Sequence, residues 1–167
     1  MATAADSAAA VELSSAAAAE QSELGRITKV VQDLQKSKSP RSTLSHLYSL
    51  YDIVRNVRSD VAKKLCEHPD EPIPAVINAM DRFIGVDPVS EAFQAAAVAL
   101  LTDTLNSPQI CHSFSHLVES AAPLVQRAVA RFPANEWLQE NGMQFLALNK
   151  ERPHDSSGTN QQPSQHR

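Results

Sequence analysis

Pro74-Ala75-Val76-Ile77-Asn78-Ala79-Met80-Asp81-Arg82-Phe83 returns downstream in a weaker copy, Pro123-Leu124-Val125-Gln126-Arg127-Ala128-Val129-Ala130-Arg131-Phe132. Six of the ten positions keep their character at a constant offset of 49 residues: Pro74/Pro123, Val76/Val125, Ala79/Ala128, Met80/Val129, Arg82/Arg131 and Phe83/Phe132. A fixed period of this size marks stacked helical units, each burying its apolar face against the next.

Outward from this stretch the same offset relates two short helical segments, matching Val61 to Ile110, Ala62 to Cys111 and Leu65 to Phe114. The helices that follow overlay after a shift of about one residue, with Val98-Ala99-Leu100-Leu101 on Leu146-Ala147-Leu148-Asn149. Going backward, the helix from Leu44 reads as a third helix of such a unit and that from Leu24 as a second. The expected fold is all-α, a short helical-repeat stack of about two and two-thirds units.

Local signals agree with helices throughout. Leu24, Ile27, Val30, Val31 and Leu34 recur at three- and four-residue spacings, an amphipathic helix ended by Ser37-Lys38-Ser39-Pro40. Along the next helix Leu44, Leu47, Tyr48, Leu50, Tyr51, Ile53, Val54 and Val57 cover most of the circumference, which predicts a central position. A short helix is expected from Asp60 to Cys66, ended by His68-Pro69. The Pro74 helix should bury Val76, Ile77, Met80, Phe83 and Ile84, with Gly85 as its C-terminal cap. Asp87-Pro88 reads as a cap and first-turn proline for a helix burying Phe93, Ala96, Ala97, Leu100, Leu101 and Leu105. Pro108 should open a short helix with Ile110, Phe114, Leu117 and Val118, and Pro123 a new one. Asn135 caps the last, which buries Trp137 or Leu138, then Phe145, Leu146 and Leu148.

The 167 residues divide by composition into an alanine-rich flexible arm (1–21), a helical domain (22–150) and a disordered tail (151–167) without apolar residues. Only four glycines interrupt a chain rich in Ala, Leu and Val. The net charge of -4 is unevenly spread. Residues 1–23 carry Asp6, Glu12, Glu20 and Glu23 with no base, whereas 24–64 hold nine bases against Asp33, Asp52 and Asp60. From 65 to 150 acids dominate again. A basic front and an acidic back are compatible with head-to-tail self-association, although solvated helix faces account for most surface charge. Cys66 and Cys111 sit among apolar residues as reduced thiols do, and no apolar run reaches the 18 or so residues of a membrane span. With no signal-peptide pattern, a cytoplasmic location is expected.

The sequence of a short helix, a proline-bearing turn, a longer apolar helix and a final helix resembles the armadillo repeat, of the armadillo and HEAT type. The closest single match is Trp137-Leu138-Gln139-Glu140-Asn141-Gly142-Met143-Gln144-Phe145-Leu146-Ala147-Leu148, and the resemblance covers roughly residues 42–150. It implies a short right-handed superhelical stack that binds other proteins. Two features depart from the family. Glu71-Pro72-Ile73-Pro74 and Ser120-Ala121-Ala122-Pro123 stand where it has glycines between first and second helices. No asparagine recurs at one position of the third helices, since Asp103 and Asn149 do not align.

No residue set identifies a reaction. His112 and His116, four apart beside Cys111, have the spacing of a two-histidine metal site but lack third and fourth ligands, and an exposed Ser/His-rich face explains them. Cys66 and His68, two apart, point in different directions on a helix. None of Gly25, Gly85, Gly142 or Gly158 stands in a phosphate-binding loop. The basic segment has only Tyr48 and Tyr51 as aromatic company, which disfavours nucleic acid. The expected function is therefore non-enzymatic protein binding, without cofactor or metal, to another protein or a second copy of the chain. The residues expected to meet a partner are Arg55, Arg58, Trp137 and Gln144.

Overall fold

A computed structural model describes residues 4–56, 65, 67–69, 71–85, 87–106 and 115–150. Most of them lie in six helices: α1 (Ala4–Lys36), α2 (Pro40–Asn56), α3 (Pro72–Arg82), α4 (Pro88–Leu105), α5 (Ser115–Arg131) and α6 (Glu136–Lys150). Among the described residues there is no strand, and no helix is long and apolar enough to cross a membrane. Proline opens α2, α3 and α4, where a missing N–H costs nothing and the fixed φ suits the first turn. Ser39 Oγ accepts the Ser42 N–H at 3.2 Å, Asp87 Oδ1 those of Val89 and Ser90 at 3.0 Å, and Asn135 Oδ1 that of Leu138 at 2.9 Å. These bonds satisfy donors that the first helical turn leaves open.

The helices pair in sequence, α1 with α2, α3 with α4 and α5 with α6, across short loops. They also pack on every second neighbour: α1, α3 and α5 make one layer, and α2, α4 and α6 the other. Within a layer the helices run parallel. Arg82 at the end of α3 reaches the end of α1, and Arg127 near the end of α5 meets Asp81 near the end of α3 at 3.0 Å. In the other layer Tyr51 O–H donates to Asp103 at 2.7 Å, and Asn135 Nδ2 to Glu91 at 2.9 Å.

Several expectations need correction. The central helix is α4, not α2. It is buried around most of its girth, with Phe93, Val98, Leu100 and Leu101 in the core, whereas Tyr48 on α2 is 47% exposed. Alanines at 95, 96, 97 and 99 let neighbours approach α4 closely. Pro123 does not begin a helix but lies inside α5. It faces outward, and Val118, Ala121, Val125 and Ala128 form one buried stripe across it. Gly85 is not a cap, because α3 ends at Arg82 with Phe83 as its last half-turn. Its missing side chain instead leaves room for the α4 cap: a Cβ there would lie 2.9 Å from Ser90 Oγ. Leu65 is buried as expected, but the rest of the short 60–66 helix, the segment 108–114 and the tail 151–167 lie outside the described residues. Residues 4–21 form the first part of α1, and the first buried side chain described on that helix is Ile27.

The 49-residue recurrence has a structural counterpart. Gln94 Nε2 donates to the carbonyls of Met80 (2.8 Å) and Phe83 (3.2 Å), and Gln139 Nε2 to those of Val129 (2.8 Å) and Phe132 (3.1 Å). The acceptors are two of the recurring pairs, so in both units a glutamine of the second helix closes the open C-terminal end of the first. The end of α1 is closed differently, by Arg82, whose guanidinium donates to Leu34 (3.2 Å), Gln35 (3.3 Å) and Ser37 (3.5 Å) carbonyls. Before α3, Glu71 takes φ 49° and ψ 61°, the left-handed region. For a non-glycine residue that costs about 1–2 kcal/mol.

The cap of α4 predicts a pH dependence. The Asp87 carboxyl titrates below its ordinary 3.8, chiefly because Ser90 O–H donates to it at 2.6 Å, with the Ser90 N–H adding to this. A depressed carboxylate stabilises the fold above its unfolded pKa, and that contribution disappears as pH falls through the lower folded value. Asp87→Asn should therefore flatten the decline of melting temperature below about pH 4. An unchanged acid limb in thermal melts would contradict the role of this cap.

Candidate interaction surface on the last helix

Leu138, Gly142 and Phe145 form the buried stripe of α6, at spacings of four and three. Gly142 is required by contact: a Cβ there would overlap Val129 Cγ2 of α5. On the α4 side, Thr102 O–H donates to the Asn141 carbonyl at 3.1 Å. These two contacts fix the rotation of α6 and hence what it exposes.

Trp137 is 47% exposed and Gln144 is exposed. Seven residues apart, they share one flank about 10 Å apart along the axis. Half-buried Asn141 lies between them, its Nδ2 donating to the Trp137 carbonyl at 2.9 Å. Half-buried Leu148 extends the flank, and exposed Glu136 and Glu140 border it. The result is a large aromatic surface beside an amide and two carboxylates. Such a setting offers apolar area with polar orientation, as interface anchors do.

Of the four residues expected to meet a partner, Trp137 and Gln144 are brought onto this flank. Arg55 belongs to the last turn of α2, with its side chain undescribed, and Arg58 lies outside the described residues. The sequence left open whether Trp137 or Leu138 is buried; the structure buries Leu138 fully. It also exposes Met143 by 62%, which the sequence reading passed over. The spacing of Met143 from the buried stripe carried that signal, since it falls one residue beyond Gly142 and away from Phe145.

The middle helix offers no groove floor. Ala95, Ala96 and Ala99 of α4 are at most 3% exposed, so a peptide-binding ladder cannot pass openly over it. Between α3 and α5, Ile84, Arg127, Ala130 and Arg131 line a shallow, open depression of about 410 Å³. Ser42 Oγ and His46 Nε2 lie 3.3 Å apart on α2, one helical turn, a contact any helix provides at that spacing. Among the described residues no group of three His, Cys, Asp or Glu side chains has metal-binding geometry.

No protein-family model, curated protein or solved structure matches the chain.

Proposed function

We propose that the chain is a non-enzymatic protein-interaction module, an adaptor of armadillo or HEAT type, whose partner docks on the Trp137 and Gln144 flank of α6. The half-exposed indole carries this reading. A tryptophan is the most costly side chain to leave in water and the one most enriched among interface anchors. The stacked architecture is supported by the two parallel layers and by glutamine-capped carbonyls that recur at the 49-residue offset. The bordering carboxylates favour a partner segment with an apolar side chain beside a base.

The single tryptophan makes the test direct, because its emission should shift to the blue when the flank is covered. Proteins retained by the intact chain should be captured at least about 30-fold more weakly by Trp137→Ala, the loss of a hot-spot residue, at unchanged melting temperature. A photo-crosslinking residue at position 144 should attach to the same protein. Equal capture by both chains would overturn the assignment.

Head-to-tail assembly through a basic front and an acidic back draws less support. The last pair of helices carries Glu119, Glu136 and Glu140 against Arg127, Arg131 and Lys150, so that end is balanced. Three further acids of the back are engaged within the fold, Asp81 on α3 by Arg127, Asp87 at the α4 cap by Ser90 and Asp103 on α4 by Tyr51.

A further inference from the structure

Met143 is 62% exposed, the highest value among the exposed large apolar side chains of the described residues. It lies about 120° round α6 from Trp137, on a side that the other described helices leave open. Seven residues before it is Glu136 and seven after it Lys150, both exposed and neither in an ion pair among the described residues. Residues at this spacing drift by only about 20° per step, so the three form one stripe: acid, methionine, base. Exposed Ala147 beside them is small enough to admit a close neighbour.

That order is self-complementary under a two-fold axis. When two copies of α6 lie antiparallel with Met143 against Met143, each Glu136 faces the other copy's Lys150, and both ion pairs form at once. A parallel arrangement would put acid on acid and base on base. We propose that α6 is an isologous dimer contact, formed with a second copy of this chain about an axis at Met143. The indole of Trp137 and the amide of Gln144 stay open in the dimer because they lie on another side of the helix, and of the carboxylates bordering their flank only Glu136 is engaged.

One helix against one helix buries less than the 1,200 Å² or so of a stable interface, so the dimer is weak, with a dissociation constant on the order of 100 µM. Sedimentation equilibrium of the full chain between about 5 and about 500 µM should show monomer passing to dimer. Met143→Glu should leave a monomer across the range, with helical content and melting temperature unchanged in dilute solution. Glu136→Lys and Lys150→Glu should each weaken association about 3- to 10-fold, from two lost exposed pairs. The double exchange Glu136→Lys with Lys150→Glu recreates both pairs in reverse and should recover most of the affinity. A wild-type chain that stays monomeric, a dimer indifferent to Met143→Glu, or a double exchange no tighter than the single changes would each overturn the proposal.

Discussion

Phe93→Ala should cost about 3–5 kcal/mol, the range for removing a fully buried aromatic side chain whose cavity only partly collapses. Phe93 is fully buried on α4 and meets the Phe83 ring edge-on, with centroids 6.1 Å apart and planes at 78°. It therefore holds α4 to the end of α3, at the point where Gln94 of the same turn closes the α3 carbonyls. Losing the ring loosens both contacts. A domain of this size has about 5–15 kcal/mol in total, so the melting temperature should fall by roughly 10 °C or more. Phe83→Ala, at a half-buried site, should cost clearly less. Thermal melts followed by circular dichroism decide this, and a shift under about 2 °C for Phe93→Ala would contradict the central role of α4.

Gly142→Ala should destabilise by about 1–3 kcal/mol although alanine is the better helix former by about 1 kcal/mol. The new Cβ overlaps Val129 Cγ2, and a β-branched residue in a helix keeps one dominant rotamer, so Val129 cannot swing aside. The two helices must separate. Since α6 also packs along α4, the strain reaches the layer contact at Thr102 and Asn141. Adding Val129→Ala makes room for the methyl group and should return most of the loss, a coupling that a double-mutant cycle measures directly. Additive effects of the two changes would show that this contact does not set the helix spacing.

Prolines illustrate how far local reading reaches. Pro40 and Pro88 mark helix starts correctly, because a proline in the first turn has the same consequence in any fold. Pro123 carries the same local signal and misleads. A proline inside a helix persists when its flanks are packed as one stripe, and whether Val118 and Val125 face the same neighbours is a tertiary matter. The recurrence at 49 residues shows the reverse case. It was legible as a pattern, yet its shared feature, carbonyls of Met80 and Val129 closed by Gln94 and Gln139, was invisible because both glutamines sit in other helices.

The site divides in the same way. The sequence left Trp137 open as a buried residue or a partner contact, and seven-residue spacing alone aligns Glu136, Met143 and Lys150, whereas the exposure of Trp137 and Met143 required the rotation of α6 to be known. That rotation is set by Gly142 against Val129 and by Thr102 against Asn141, contacts between residues distant in sequence.

The sequence by itself determined the all-helical class, the amphipathic stripes, the Asp87 and Asn135 caps and most helix starts. Each of these depends on residues within one or two turns, where backbone geometry and side-chain spacing act alone. Only the tertiary structure decided that α4 is the centre, that α5 runs through its proline, and that α6 turns Leu138 inward and Trp137 outward. The reason is physical: periodicity defines which residues share a helix face, but which face is buried depends on the neighbours that remove it from water.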